Sequence, residues 1–135
     1  MNAVTRGDPG EMRPTEAELE ILQLLWERGA CTVREVHEVL HARAGTGYTT
    51  ALKLMQVMYD KGLVTRDESQ RAHVYRAAVS KGRTQKRFLA DLVKRVFDGS
   101  SSKLVLQALG DHQASRAELQ EIRALLNRLD KGFDP

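Results

Sequence analysis

The sequence predicts a mainly α-helical protein that contains one small β-hairpin. Across most of the 135 residues, apolar side chains recur at the three- and four-residue spacing of amphipathic helices. Between residues 63 and 77 the spacing changes to that of two short strands on either side of a polar turn. Several helix starts are marked by a serine or threonine followed three residues later by glutamate. These observations predict a small helical domain with a hairpin, followed by a second helical domain.

The first two predicted helices follow a polar N-terminal segment. Residues 1–14 hold two glycines and two prolines, a composition typical of a disordered arm. Thr15 with Glu18, and Thr32 with Glu35, form capping-box patterns that predict a helix beginning after each threonine. The expected apolar faces are Leu19, Leu22, Leu25 and Trp26 in the first helix and Val33, Val36, His37 and Leu40 in the second.

The third predicted helix, residues 48–61, has one apolar and one more polar face. Gly62 is expected to end it, because a glycine in the left-handed conformation commonly closes a helix. The apolar stripe is made by Ala51, Leu54, Met55 and Met58. The opposite face carries side chains that can meet base edges or phosphates, namely Thr49, Thr50, Lys53, Gln56 and Val57.

A basic hairpin follows the third helix. Strands are expected at 63–68 and 72–77, and residues 63–77 are called the wing. Three helices and a basic wing in this order, over residues 15–79, predict a winged helix-turn-helix domain whose third helix enters the major groove of DNA. The wing residues expected to contact DNA are Arg66, Arg71 and His73, with Arg71 near the turn as the expected phosphate contact and Arg76 as a further basic residue.

Residues 80–135 predict three further amphipathic helices. Ser80 caps the first, Gly99 and the serines after it break the chain, and the Ser115/Glu118 capping box opens the last. Three helices of this length cannot bury their apolar stripes within one chain, so we expect a second copy to cover them in a homodimer. The expected dimerisation residues are Phe88, Leu92, Val96, Leu104, Leu109, Leu119, Ile122, Leu126 and Leu129.

The charge is unevenly distributed along the chain. Residues 1–39 hold four basic and eight acidic side chains, whereas residues 40–135 hold 17 basic and 10 acidic ones, for a net charge of +3. This distribution suits a protein with one face turned toward a polyanion. The basic run over 81–95 is interpreted as a solvated helix face or as additional phosphate contact.

Several other classes of protein are not supported by the sequence. Cys31 is the only cysteine, which excludes an internal disulfide, fits a reducing cytoplasm and predicts a buried small side chain. No apolar run approaches the roughly 20 residues needed to cross a bilayer, and no secretory signal is present, so we expect a cytoplasmic protein without a membrane partner. Phosphate-binding loops and nucleophile motifs are absent from the sequence, so no cofactor is expected.

One motif supports an alternative hypothesis. Residues 37–41 spell H-E-x-x-H, the pattern that places two zinc-binding histidines on one helical face with glutamate as general base. A zinc-dependent hydrolase built on His37, Glu38 and His41 would need a third ligand, and Gly47 stands where one common arrangement has it. We interpret the histidines as a packed or surface pair. A winged helix used only for protein contacts is the other alternative.

Six linked segments form a specific pattern. They are PTEAELEILQLLW, TVREVHEVL, YTTALKLMQVMYDKGLV, RAHVYRA, RVFDGSSSKLVLQAL and AELQEIRALL. Together they resemble the BlaI/MecI family of penicillinase-type transcriptional repressors, from Pro14 to Leu129. The resemblance implies a homodimer with an N-terminal winged helix and a C-terminal dimerisation domain of three helices. It also implies binding to a palindromic operator and repression of nearby genes, often those of a β-lactamase or a membrane metalloprotease sensor.

The chain departs from this family at informative positions. Thr49 and Thr50 match the paired residues with which the third helix, the recognition helix, begins in this family. Lys53, however, stands where the family commonly has threonine, and Val57 stands where it commonly has arginine. We therefore expect operator specificity to differ at those two positions. The resemblance further implies a sensor protease that relieves repression by cutting an Asn-Phe bond, where this chain has Ser100-Ser101. The C-terminal cysteines of copper-responsive relatives are absent, so copper sensing is not expected.

Overall fold

The computed structural model describes residues 13–111 and 113–132. The predicted arm, residues 1–14, lies outside this range except at its end, where Pro14 is buried. Among the described residues, those up to Ala90 form one compact unit and those from Asp91 form another, so the division falls inside a helix. The elements in chain order are α1 (Glu16–Arg28), β1 (Cys31–Thr32), α2 (Val33–Ala44), α3 (Tyr48–Lys61), β2 (Val64–Asp67), β3 (Val74–Ala77), α4 (Lys81–Val96), α5 (Ser101–Asp111) and α6 (Arg116–Gly132).

The predicted helix starts are confirmed by their capping hydrogen bonds. The Thr15 hydroxyl accepts from the Glu18 amide at 3.2 Å, and the Glu18 carboxylate accepts from the Thr15 amide at 2.9 Å. Thr32 and Glu35 form the same reciprocal pair at the start of α2. Gly62 ends α3 in the left-handed conformation with φ of 82°, which a glycine adopts without a steric penalty. Local sequence signals therefore set the boundaries of these helices.

The strands form a three-stranded antiparallel sheet in the order β1-β3-β2. The predicted hairpin is present, with Arg66 opposite Tyr75 and Asp67 opposite Val74. Its strands are shorter than the predicted 63–68 and 72–77, because the chain leaves the ladder after Asp67 and rejoins it at Val74. Strand β1 was not predicted from the sequence, because its two residues are too few to show alternation.

The core of the first unit lies between α1, α2, α3 and the sheet. Trp26 is half-buried, and its indole nitrogen donates a 2.9 Å hydrogen bond to the Val79 carbonyl, which fixes the segment after the wing against α1. Cys31 is buried as expected, and burial raises the pKa of its thiol, which makes the thiolate scarce. The fully or almost fully buried apolar side chains include Ile21, Leu22, Leu24, Leu25, Val36, Leu40, Ala51, Met55, Met58, Leu63, Val64 and Tyr75.

An ion pair at the edge of this core joins the start of α1 to the end of α3. The Lys61 ammonium lies 2.6 Å from the Glu18 carboxylate, whose side chain is only 3% exposed. The same carboxylate oxygen accepts from the Thr15 amide, so it serves both the helix cap and the contact between helices. A carboxylate at such depth requires its cation to offset the loss of hydration.

Replacing Lys61 with methionine is expected to lower the free energy of unfolding by about 1–3 kcal/mol, because it leaves the Glu18 carboxylate buried without a cation. Methionine keeps much of the aliphatic part of the lysine side chain, so the lost free energy of unfolding is due mainly to the missing positive charge. Urea unfolding at neutral pH measures it. The double variant Lys61→Met with Glu18→Gln should regain part of the loss, since a neutral amide still caps the Thr15 amide. Equal stability of Lys61→Met and the parent chain would contradict this role.

The second unit contains the end of α4 with α5 and α6. Ser100 caps α5 through the Lys103 amide at 3.2 Å, and the predicted Ser115/Glu118 capping box opens α6. No residue of α5 or α6 whose burial is described is buried. The apolar side chains exposed here and along α4 include Leu89, Leu92, Val96, Val105, Leu106, Leu109, Leu119, Leu125, Leu126 and Leu129. A single chain thus leaves a large apolar area in water.

None of the helices in the described ranges is both long and apolar enough to cross a membrane.

Candidate nucleic-acid interface

The apolar stripe of α3 fixes which side of that helix faces solvent. Ala51, Met55 and Met58 have no exposed surface, so the helix cannot rotate without opening the core. Leu54, also predicted for this stripe, is half-buried. The side chains predicted to read DNA are all exposed on the other side, namely Thr49, Thr50, Lys53, Gln56 and Val57. The packing therefore presents the polar face that the sequence predicts.

The N-terminus of α3 differs from those of α1 and α2. Gly47 precedes the helix and supplies no side-chain hydrogen bond, whereas threonine and glutamate cap the other two helices. The first amides of α3 therefore lack the side-chain acceptor present at the other helix starts. Exposed amides at a helix N-terminus attract anions, and the hydroxyls of Thr49 and Thr50 lie in the same turn. This end of α3 suits a phosphate group.

The basic residues of the wing occupy two different environments. Arg71, beyond the last paired residues of the hairpin, is exposed, whereas His73 is half-buried. Arg66 is also half-buried: its Nε donates to the Glu68 carboxylate at 2.7 Å, and its guanidinium carbon lies 4.0 Å from the centre of the Tyr59 ring. Hydrogen bonds with Tyr75 and then Glu68 raise the pKa of Arg66. Arg71 is thus presented outward, whereas Arg66 is engaged within the domain.

A cleft of about 790 Å³ lies between the start of α2, the polar side of α3 and the wing. Four predicted site residues line it, namely Gln56, Arg66, Arg71 and His73. The other four, Thr49, Thr50, Lys53 and Val57, are not among its lining residues. Arg34 and Tyr48, which were not predicted as site residues from the sequence, also line it. Tyr48, 49% exposed, begins α3, and Arg34 follows the capping threonine of α2. The lining residues include Arg34, Glu35, Tyr48, Leu52, Gln56, Arg66, Glu68, Arg71, His73 and Tyr75.

A side-chain hydrogen bond organises the wing turn. The Asp67 carboxylate accepts from the Ser69 amide at 2.9 Å as the chain leaves β2. This hydrogen bond is the largest cause that lowers the pKa of Asp67, followed by a hydrogen bond with the Ser69 side chain and by smaller contributions from Arg76 and His73. The stabilisation of the turn is present above the ordinary aspartate pKa and is lost as the pH falls through the lowered value.

In an NMR pH titration, the Ser69 amide shift is therefore expected to change together with the Asp67 carboxyl shift. The shared midpoint should lie below that of an ordinary aspartate, because protonation removes the charged acceptor. Asp67→Asn is the control, since it should remove this titration step from the Ser69 amide. A midpoint at the ordinary value, or a Ser69 amide that does not follow Asp67, would show that the turn is not held this way.

The H-E-x-x-H histidines both lie within α2, with His41 in its last turn. The rings of His37 and His41 have centroids 5.5 Å apart, and His37 meets the Tyr48 ring edge-on at the same separation. Nδ1 of His41 lies 3.3 Å from the Thr46 carbonyl oxygen. Within residues 13–111 and 113–132, no group of three histidine, cysteine or carboxylate side chains is placed to hold a metal ion. The described residues thus supply no third ligand for the zinc-hydrolase alternative.

Residues 14–128 match the sequence model of the penicillinase repressor family. The methicillin resistance regulatory protein MecI of Staphylococcus aureus is 21% identical over 114 residues, which cover 84% of this chain and 93% of that protein. The transcriptional regulator BlaI of Mycobacterium tuberculosis is 28% identical over 118 residues, which cover 87% of this chain and 85% of that protein. A solution structure of Bacillus licheniformis BlaI, in its monomeric form in complex with the blaP half-operator, aligns with 53% of this chain and 88% of that chain. The sequence identity is 19% and the TM-score is 0.47.

Proposed function

The chain belongs to the penicillinase repressor family and is a DNA-binding repressor, and we propose that it acts as a homodimer on a palindromic operator in the cytoplasm. The observation that carries this proposal is α3, whose buried methionines hold a polar face outward beside a basic wing. MecI and BlaI, which align with nearly the whole chain, are named as regulators. Members of this family are transcriptional repressors and not enzymes.

We assign the recognition of base edges to the exposed face of α3. The amide of Gln56 can pair with adenine, and the ammonium of Lys53 can donate to the acceptors of guanine. Val57, 37% exposed, can contact the methyl group of thymine. Thr49 and Thr50, beside the uncapped helix N-terminus, contact the phosphate that flanks these bases.

Contacts to the DNA backbone are assigned to the wing and to the cleft beside it. Arg71 and His73 at the wing contact phosphates. Arg34 and Tyr48 line the same cleft and extend the surface toward the start of α2. Glu35 and Glu68 also lie there, so the cationic residues contact phosphates only at the rim, away from these carboxylates.

The homodimer is proposed from the apolar faces of α4, α5 and α6. Leu106, Leu126 and Leu129 are 72%, 56% and 61% exposed in the single chain, an unfavourable arrangement in water. A second copy covers such faces symmetrically. Two-fold symmetry then places two copies of α3 on half-sites one helical turn, or a multiple of it, apart.

Release by a sensor protease is proposed at the break between α4 and α5. Asp98 and Gly99 both have positive φ there, and α5 begins only at Ser101. A short turn between two helices is cut by a protease more readily than a helix is. Ser100-Ser101 stands where the family resemblance implies an Asn-Phe bond, so a protease acting here would need a different bond preference.

Gel-shift titration with DNA from upstream of the chain's own gene, over a salt series, tests the proposed function. We expect sequence-dependent retention, with the logarithm of the association constant falling linearly with the logarithm of the salt concentration. A scrambled duplex of equal length is the control. Equal affinity for both duplexes would contradict operator recognition. No retention at moderate salt would favour a winged helix used for protein contacts.

A further inference from the structure

We propose that Arg66 is a positioning residue that fastens the wing to the recognition helix α3, and that it does not contact DNA. This inference rests on the proposed function, because the geometry that Arg66 maintains is that of the DNA-binding surface. It revises the expectation from sequence, in which Arg66 was one of several basic wing residues directed at phosphate.

The surroundings of Arg66 come from three different segments of the first unit. The guanidinium stacks over Tyr59, in the last turns of α3, at 4.0 Å from the ring centre. Its Nε donates to Glu68, at the start of the wing turn, at 2.7 Å. On the neighbouring strand, Tyr75 is its direct cross-strand partner and is 2% exposed. One side chain therefore connects the recognition helix, the wing turn and the sheet.

Only arginine suits this arrangement. The flat face of its guanidinium stacks on an aromatic ring while the edge donates hydrogen bonds in the plane, and a lysine ammonium cannot do both. The side chain is 21% exposed and its charge already faces a carboxylate. A phosphate would have to displace Glu68 to reach it, whereas Arg71 is exposed near the turn. The exposed cation near the wing turn is therefore Arg71.

The connection matters because the wing is a small hairpin. Each of its strands has four residues, and the ladder ends at the pair Asp67 and Val74. The turn that carries Arg71 and His73 lies beyond that pair. A contact from β2 to α3 close to the turn limits the motion of the turn. Arg71 is therefore held near its binding position before DNA binds.

The experiment tests three variants, namely Arg66→Gln, Tyr59→Leu and the double variant that carries both changes. Arg71→Gln is the matched control, because it also removes one arginine from the wing. The probe is a duplex of about 30 base pairs, selected from a random library with the parent chain, which is long enough for two half-sites. Affinity is measured by fluorescence anisotropy over a salt series. Circular dichroism sets a temperature at which every variant is folded. NMR order parameters report on the amides of residues 68–73 in the free chain.

We expect Arg66→Gln and Tyr59→Leu each to weaken binding by roughly threefold to thirtyfold, although Tyr59 lies outside the proposed contact face. The double variant should be no weaker than the more affected single variant, because both changes break one connection. Neither should alter the salt slope, whereas Arg71→Gln should reduce it by about one. The order parameters of residues 68–73 should fall in the first two variants and remain unchanged in Arg71→Gln.

The opposite pattern overturns the proposal. If Arg66→Gln reduces the salt slope as Arg71→Gln does, while Tyr59→Leu binds like the parent chain, then Arg66 is itself a phosphate contact. Unchanged order parameters in Arg66→Gln would also overturn it. If the parent chain selects no duplex at all, the proposed function fails, and the order parameters of the free chain still decide whether Arg66 fastens the wing.

Discussion

A chain carrying Leu126→Glu is expected to be monomeric and to lose most of its affinity for the operator. Leu126 is 56% exposed on α6, and in the proposed dimer its counterpart in the second copy is buried with it. Each buried leucine contributes about 1.5–3 kcal/mol to association, and the substitution also places two carboxylates in an apolar interface. Without the dimer, the two half-sites are bound independently, so affinity at low protein concentration falls by roughly hundredfold or more.

Sedimentation equilibrium gives the mass, and anisotropy on a duplex with two half-sites gives the affinity. Ala124→Glu is the matched control, because it adds the same charge on the opposite side of α6 at an exposed position. It should leave both the dimer and the DNA affinity intact. A parent chain that sediments as a monomer, or a dimer that survives Leu126→Glu, would refute the assignment of these faces to dimerisation.

Lys53→Ala is expected to produce the largest loss among single changes in α3. A good side-chain contact to a base edge contributes about 1–3 kcal/mol of discrimination, which corresponds to roughly a fivefold to 150-fold loss of operator affinity. Lys53 is exposed, so the folding free energy should change little. Affinity for a random duplex should fall by a smaller factor, because binding to a random duplex depends only on the attraction between the lysine charge and the phosphates.

Arg83→Ala in α4 is the control for this change. It also removes one exposed positive charge, but from a helix outside the proposed recognition surface. Affinities of both variants for the operator and for a random duplex separate base reading from general attraction to phosphate. If Arg83→Ala were the more damaging change, the contact surface would have to be moved from α3 to α4.

Helix boundaries and the face of α3 could be predicted because their causes are local. The threonine–glutamate caps need residues only three apart, and the position of Gly62 follows from the backbone conformation it adopts. Ala51, Met55 and Met58 are buried at the predicted spacing, which is enough to decide the outward face. The outward orientation of Lys53 and Gln56 follows from these three.

Features that depend on tertiary contacts could not be predicted. The two-residue β1 exists because Cys31 and Thr32 pair with Tyr75 and Val74, far along the chain. Ile21 and Leu24 widen the buried face of α1 beyond its predicted stripe, because packing surrounds that helix on more than one side.

The two environments of the wing arginines are a further example. From sequence, Arg66 and Arg71 are both basic residues of one hairpin expected to contact DNA, and only the position of Arg71 near the turn favours it as the phosphate contact. Only the approach of Tyr59 from α3, together with Glu68 from the turn, distinguishes the engaged arginine from the exposed one. A basic hairpin can therefore be recognised from sequence, but its individual contacts depend on the packing.

Protection of guanine N7 from methylation by the bound chain tests most directly whether α3 of a dimer reads DNA in the major groove. Guanine N7 faces that groove, so a docked helix shields it. We expect two symmetry-related protected patches, their centres about 10 base pairs or a multiple of it apart, with Lys53→Ala weakening protection in both. Binding that leaves every guanine N7 reactive, or that protects a single asymmetric patch, would contradict the proposed mode of recognition.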